Sequence, residues 1–312
     1  MKYCFGIDLG GTTVKLGLFD TEGTVLDKWE IKTRSENGGA NILPDIAEAV
    51  KGKMEEKGIN TADVVGAGIG VPGPVTNDGY INKAVNLGWN ERFNVEEKLS
   101  SLLGVPVKAG NDANVAALGE MWKGGGAGAE NVVFVTLGTG VGGGIIIGGK
   151  IVTGSHGAGG EIGHIHVEDK EADSCGCGNH GCLEQYASAT GVVRIANKLL
   201  KETDEDTVLR NGEVSAKTVF DAVKAGDAFA IKVAEQFGKY LGTALANISA
   251  VTDPEVFVIG GGVSKAGEVL LDYIKKYYLQ IAFHGCRETR FELAKLGNDA
   301  GIYGTARLIL DK

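Results

Sequence analysis

Proline is scarce in this chain, 5 residues in 312, while glycine reaches 50 without any Gly-X-Y period. That combination excludes collagen, and 43% hydrophobic with 23% charged residues excludes a disordered chain. Basic runs are absent too, since no stretch of five Lys or Arg occurs. Lys+Arg 31 against Asp+Glu 40 leaves a net charge of −9, so neither a duplex-binding nor a polybasic membrane surface is expected. Long apolar runs are missing as well. The uncharged stretch Val132 to Gly149 holds seven glycines and two threonines and its apolar stretches are short, so it fails as a membrane span. Asp8 stands where a secretion signal needs its apolar segment, so a cytoplasmic protein is expected. Five cysteines, an odd number, argue against a disulfide framework. Neither glycine turn described below reads GxxxxGK[ST], so a P-loop is excluded.

The glycines must therefore serve backbone geometry inside a globular fold. A chain of 312 residues suits about two domains. Period-two alternation predicts strands at Tyr3–Leu9, Thr12–Phe19 and Thr24–Ile31, followed by a helix at Asn41–Lys57 and a buried strand at Val64–Val71. A helix at Asn94–Leu103, a strand at Val105–Ala109 and a helix at Ala113–Lys123 follow. The order then restarts with strands at Val132–Leu137 and Gly142–Ile147 and a turn into Ile151–Val152. Later come a long helix Ala228–Ala250, a strand Val256–Ile259, a helix near Gly267–Ile281, a strand Phe291–Leu296 and a helix Ala300–Leu310. Ile7-Asp-Leu-Gly-Gly-Thr-Thr13 and Val135-Thr-Leu-Gly-Thr-Gly-Val141 are the same strand–turn–strand device, 128 residues apart. A duplicated βββαβαβα unit is expected to set the two hairpins facing across a cleft. Gly124–Gly128 is the best hinge candidate, and 153–190 reads as a loop-rich insertion.

Each glycine turn lets backbone N–H groups approach a phosphate, with threonine hydroxyls as added donors. Asp8, a carboxylate in an apolar strand, is costly unless it meets a donor or a metal such as Mg²⁺. Gly138-Thr-Gly140-Val-Gly-Gly143 formally matches the dinucleotide fingerprint GxGxxG, but a β-branched strand follows where that fingerprint needs a helix. NAD chemistry is therefore not expected. Gly260-Gly-Gly262, between a strand and a helix, suits either nucleotide binding or close packing. Asn111-Asp112-Ala-Asn114 begins a helix, where Asn or Asp is a preferred N-cap; Asp112 at a strand's carboxyl end is also a candidate general base. Cys175-Gly-Cys177-Gly-Asn-His-Gly-Cys182 supplies three thiols in eight residues, which points to a closed tetrahedral Zn²⁺ site with a histidine as fourth ligand. His156, His164, His166 and His180 are the candidates. Glu161 and Glu184 flank the cluster, and carboxylates on rigid loops suit the recognition of sugar hydroxyls.

Together these motifs, above all Gly160-Glu-Ile-Gly-His164 and Cys175-Gly-Cys-Gly-Asn-His-Gly-Cys-Leu-Glu184, resemble the ROK family of bacterial sugar kinases and sugar-responsive repressors. The resemblance is strongest to ATP-dependent glucokinases of Gram-positive bacteria. It implies an α/β, actin-like ATPase (ribonuclease H-like) fold and phosphoryl transfer from ATP with Mg²⁺ to the 6-hydroxyl of glucose. N-acetylmannosamine or N-acetylglucosamine kinases of the family share the same hydroxyl-binding set, and polyphosphate is an alternative donor. Asp112 would be the base, while Asn111, Glu161, His164 and Glu184 would hold the other hydroxyls. A structural Zn²⁺ would sit on His164, Cys175, Cys177 and Cys182, the histidine giving one ring nitrogen to the metal and one to the sugar. Gly10, Gly11, Thr12 and Thr13, with Gly138, Thr139 and Gly140, would clamp the phosphates beside Asp8. Gly260, Gly261 and Gly262 would underlie the adenosine, and Asn86 lies near the family's sugar loop. The implied domains are 1–112 with about 299–312, and 113–298 carrying the zinc insertion. A homodimer or homotetramer is implied. The family's repressors carry a DNA-binding domain ahead of the first glycine turn, which begins here by residue 10, so a non-catalytic regulator is the less expected reading.

Overall fold

The computed structural model describes residues 1–311. Its first sheet is built from β1 (Tyr3–Leu9), β2 (Thr13–Asp20), β3 (Val25–Lys32), β4 (Val64–Val71) and β5 (Val107–Asn111), in the order β3-β2-β1-β4-β5. The order follows from burial. β1 and β4 are apolar on both faces and occupy the interior, whereas β3 alternates residue by residue, as a strand with one wet face must. β1 runs antiparallel to β2 and parallel to β4, which runs parallel to β5. Asp8 therefore stands level with Gly70, and Gly70 with Gly110, at the carboxyl ends of three parallel strands.

Helix α1 (Ile42–Lys57) buries Ile42, Ile46, Val50 and Met54, one stripe at helical spacing, and ends at Gly58 in the left-handed conformation. Helix α2 is Val95–Leu103 and α3 is Asp112–Lys123. The second sheet comprises β6 (Val132–Leu137), β7 (Val141–Ile147), β8 (Lys150–Ile151), β9 (Val256–Gly260) and β10 (Arg290–Leu293), in the order β8-β7-β6-β9-β10. This repeats the order of the first sheet strand for strand, so the duplication read from the two glycine turns is present in the topology. Helices α4 (Ala189–Glu202), α5 (Ala216–Lys224), α6 (Ala228–Thr252), α7 (Glu268–Ile281) and α8 (Ala300–Leu310) complete the chain. Among the described residues no helix is long and apolar enough to cross a membrane.

Two compact units result: Met1–Gly128 with Gly144–Gly160 and the segment from Leu296 onward, and Ala129–Gly143 with Glu161–Lys295. The division differs from the boundaries expected at 112 and 298. The reason is α3, which packs on α8 with backbone against backbone. A Cβ on Gly304 would lie 1.6 Å from the Val115 carbonyl oxygen, so no larger residue fits between these helices. Glu120 on α3 is fully buried. Its carboxylate accepts from Gly125 N at 2.7 Å and Leu296 N at 2.8 Å, fastening the segments where the chain leaves and re-enters the first unit.

Helices α4 and α5 lie outside the elements read from the sequence, although their signals are present. The Ser188 side chain accepts from Gly191 N, and Ser215 forms a reciprocal capping box with Thr218. The 153–190 stretch is irregular as expected, holding the short turns Ile162–His164 and Glu184–Ala187.

Candidate active site

In the first unit the glycine turn between β1 and β2 is closed by Gly10 N donating to Thr13 O at 3.0 Å. Thr33, the residue after β3, braces it, its hydroxyl donating to Gly10 O at 2.7 Å and its N–H to Thr12 O at 2.9 Å. With those carbonyls engaged, the turn's remaining N–H groups are the ones available to an anion. Asn86 lies beside Gly11 in the turn Val85–Leu87.

Asp8 is half-buried in this strand end. Burial is the main cause that pushes its carboxyl up to about 6; Lys15, its cross-strand partner, opposes the rise and the Asp112 charge adds to it. A carboxylate under-compensated in this way is suited to a cation, so the donor set fits a divalent metal here.

At the end of β5 the N-cap and the acid separate onto neighbouring residues. Asn111 is the cap: its Oδ1 accepts from Asn114 N at 3.1 Å and its Nδ2 donates to Gly73 O at 3.2 Å. Asp112 is thereby the first residue of the helix and is exposed, its Oδ1 accepting from the Ala113 N–H at 2.8 Å. Buried Asn114 donates to Gly159 O at 3.3 Å. The sequence-predicted residues Asp8, Gly10–Thr13, Asn111 and Asp112 thus gather at the carboxyl end of one sheet, where α/β folds hold ligands.

In the second unit the turn Gly138–Gly140 is anchored by the segment that follows the cysteine cluster. Ala189 N donates to Gly138 O at 2.8 Å, and the Thr190 hydroxyl donates to Thr139 O at 2.8 Å. Glu184 Oε2 accepts from Val141 N at 3.1 Å, and its Oε1 lies 3.6 Å from Cys175 Sγ. A cavity of about 330 Å³ opens beside these groups, lined by Thr139, Gly140, Cys175, Glu184, Thr190 and Arg194.

The cluster itself brings one ligand atom each from His164, Cys175, Cys177 and Cys182 within 4.8 Å of one another. Cys175 Sγ lies 3.7 Å from His164 Nδ1, and Cys177 Sγ 3.7 Å from Cys182 Sγ. Two sulfurs held at about 2.3 Å in a tetrahedron are roughly 3.8 Å apart, so the cage has the right size for a closed four-coordinate metal. The other imidazole nitrogen, Nε2, is 4.0 Å from Glu161 Oε2, on the side away from the cysteines. His166 and His180 stay outside the cage, the former turning Nε2 to Asp169 and Nδ1 to the His180 carbonyl.

The three glycines at the end of β9 resolve in favour of packing at two positions: a Cβ on Gly260 would lie 2.9 Å from the Phe134 ring. Gly261 is left-handed, and a Cβ there would lie 2.5 Å from the backbone of Leu137, whereas Gly262 faces open space. The cluster nonetheless lies beside the strand that feeds the Gly138 turn. The GxGxxG match leads into β7 and not into a helix, as the sequence predicts.

One group was not singled out by sequence reasoning. Glu171, its side chain only 5% exposed, accepts both Arg194 Nη atoms at 2.5 Å, together with the Tyr186 hydroxyl and Asp173 N at 2.8 Å. The Arg194 guanidinium holds its carboxyl down at about 2. This network ties the approach to Cys175 onto α4. The available signal was weak, because its partners lie 15 and 23 residues apart.

A profile described as the ROK family matches residues 4–312. A glucokinase of Halalkalibacterium halodurans is 45% identical over 314 residues, covering 99% of this chain and 95% of that protein. A ROK family glucokinase from Streptomyces griseus, solved with glucose and AMPPNP, superposes with a TM-score of 0.74 at 36% identity, covering 98% of each chain. A ROK hexokinase from Thermus thermophilus superposes with a TM-score of 0.81 at 33% identity, covering 97% of this chain and 96% of that one. The strand order, the two glycine turns and the His-Cys₃ cage lead to one assignment: this chain belongs to the ROK family of sugar kinases and regulators, with the actin-like ATPase fold.

Proposed function

We propose that this protein is a glucokinase, transferring the γ-phosphate of ATP to the 6-hydroxyl of glucose. The observation that carries the reading is the division of labour at the end of β5. Asn111 takes the cap, which leaves the Asp112 carboxylate exposed at the sheet's carboxyl end as a general base for a hydroxyl. The glucokinases among its relatives support glucose as the acceptor.

In this reading Asp112 takes the proton from the sugar's 6-hydroxyl as its oxygen attacks the γ-phosphorus and the bond from that phosphorus to the bridging oxygen breaks, releasing ADP. Asn111, Glu161, His164 and Glu184 hold the remaining hydroxyls. Gly10–Thr13 and Gly138–Gly140 offer backbone donors to the phosphates, and Gly260–Gly262 lie under the adenosine. Mg²⁺ near Asp8 would neutralise phosphate charge when bound; the enzyme's own contribution is positioning and backbone electrostatics. Zn²⁺ on His164, Cys175, Cys177 and Cys182 would be structural, because four protein ligands leave no open position. A homodimer or homotetramer in the cytoplasm is the setting that family resemblance supports.

The test is a panel of aldoses and N-acetylhexosamines in a coupled ADP assay, with ATP and polyphosphate as donors. Glucose with ATP is expected to give a kcat/KM at least about tenfold above N-acetylglucosamine and N-acetylmannosamine, the discrimination one ill-housed substituent produces. A preference for an N-acetylhexosamine overturns glucose as substrate. ADP release with no sugar at all overturns the kinase reading and favours a sugar-sensing regulator.

The Asp8→Asn variant separates stability from activity. A carboxyl raised from 3.8 to about 6 makes the native state the tighter proton binder, so wild-type stability falls as pH rises from about 4 to 6 and stays lower above. Removing that charge is expected to raise the Tm by about 2–5 °C at pH 8 in metal-free buffer, with the difference vanishing near pH 4. Turnover is expected to drop by about 10²-fold or more, because the metal loses its protein anchor. Thermal scans at both pH values check the first outcome, and steady-state kinetics the second.

A further inference from the structure

The two glycines of the second turn are not equivalent. A Cβ on Gly138 would meet nothing within 4 Å, so its bare backbone faces open space. A Cβ on Gly140 would lie 2.0 Å from Glu184 Oε2 and 3.0 Å from its Cδ. The room that a side chain would take at 140 is already filled by the carboxylate. Neither glycine has a positive φ, so left-handed backbone is not what demands glycine at either position.

We propose that Gly140 is a positioning residue for the acceptor sugar: its missing side chain seats the Glu184 carboxylate, so the tip of this turn serves sugar binding as well as offering its backbone to phosphate. The proposal rests on the reading of Glu184 as a sugar ligand. The turn cannot easily yield, because Ala189 N and the Thr190 hydroxyl hold the Gly138 and Thr139 carbonyls at 2.8 Å each. Glu184 can yield, because the clash falls on the far end of a flexible side chain. Its Oε2 would leave Val141 N, now 3.1 Å away, and the carboxylate would swing off its present position. The fold would be nearly untouched and the sugar site would not.

Gly140→Ala is therefore expected to weaken glucose binding by about tenfold or more, the loss of one well-aimed bond to a charged group. Binding of Mg-ADP in the absence of sugar should fall less than glucose binding does, by no more than about threefold, because alanine keeps the backbone N–H groups that the turn offers to phosphate. Isothermal titration with each ligand separately reads both numbers, and a thermal scan checks the fold. Glu184→Asp shortens the side chain and supplies the control. In the Glu184→Asp background, Gly140→Ala should cost no further glucose affinity, since the atom it strikes has been withdrawn. Should Gly140→Ala alone fail to fold while the double variant folds, the steric account stands. A larger loss of Mg-ADP than of glucose affinity overturns the proposal. So does an unchanged glucose affinity, or a full additive penalty in the double variant. Failure of the wild-type protein to bind or phosphorylate glucose would instead overturn the glucokinase reading.

Discussion

Asp112→Asn is expected to lower turnover by about 10²–10⁴-fold while glucose affinity changes only a few-fold, the range for removing a positioned general base. The substitution is nearly isosteric. An asparagine keeps an oxygen that can accept from the Ala113 N–H, as Oδ1 does now at 2.8 Å. The helix is not at stake, because its cap is Asn111. The lost first-turn charge costs roughly 0.3–1 kcal/mol through the helix dipole. A large fall in kcat with intact stability and intact sugar binding therefore isolates the proton-accepting role. A fall of less than about tenfold would remove Asp112 from that role. The variant also carries a second signature. Asp112 is one of the charges that raise the Asp8 carboxyl, so in Asp112→Asn the titration of Asp8 moves downward from about 6. A pH-dependent Mg²⁺ titration of this variant would read that shift, whatever happens to turnover.

Withdrawal of zinc should be the most damaging treatment that leaves the covalent chain intact. Structural zinc binds small peptide cages with roughly 10–16 kcal/mol at neutral pH, comparable to or above the whole stability of a typical domain. The cage ties together the two ends of a loop that is also held by Val167 N to Gly181 O at 2.7 Å, Leu183 N to Ile165 O at 2.8 Å and the Glu171–Arg194 pair. Glu184 stands two residues beyond Cys182, so loosening the cage unseats a proposed sugar ligand directly. Cys182→Ser, or prolonged chelation, is expected to lower kcat/KM by about 10²-fold or more and to add an early thermal transition, as loss of a second-row support alone already costs 10–100-fold at metal sites. Metal analysis of the purified protein should give close to one zinc per chain. An active, fully folded, metal-free preparation would exclude the structural-zinc assignment. Affinity should also decline as pH falls, since the metal must displace thiol protons, and burial pushes the Cys182 thiol up to about 12.

Much of this architecture was legible because it is local. β1, β4, β6 and α8 start and stop where alternation, apolar runs and capping residues say they should, and two matching turns announced the duplicated topology. The cysteine spacing pointed to a cluster that could hold a metal, and the structure brings those three thiols together with His164. The choice of His164 over three other histidines came from family resemblance, and the cage geometry agrees with it. What the chain concealed is contact across long separations. Nothing in the spelling of Gly140 shows that its side-chain space is taken by Glu184, and nothing around Glu171 announces Arg194 at 23 residues' remove. The domain boundary was displaced for the same reason: α3 looks like the start of a new unit in sequence, yet it is packed against a helix almost two hundred residues later. Helices α4 and α5 were the reverse case, locally signalled by Ser188 and Ser215 but overshadowed by the irregular stretch before them.

The seating of α8 bears on how the protein is made. Gly68 on β4 and Gly304 on α8 admit no side chain, since a Cβ would lie 1.8 Å from Thr305 O and 1.6 Å from Val115 O respectively. The first sheet and α3 are thus moulded to a helix that the ribosome delivers only after the entire second unit, Ala129–Gly143 with Glu161–Lys295, has been synthesised. Until then the apolar faces of β1 and β4 that α8 covers are exposed on the nascent chain. The early half of this chain can therefore complete its packing only when its last residues arrive, which makes the closing of the first unit a late step in folding.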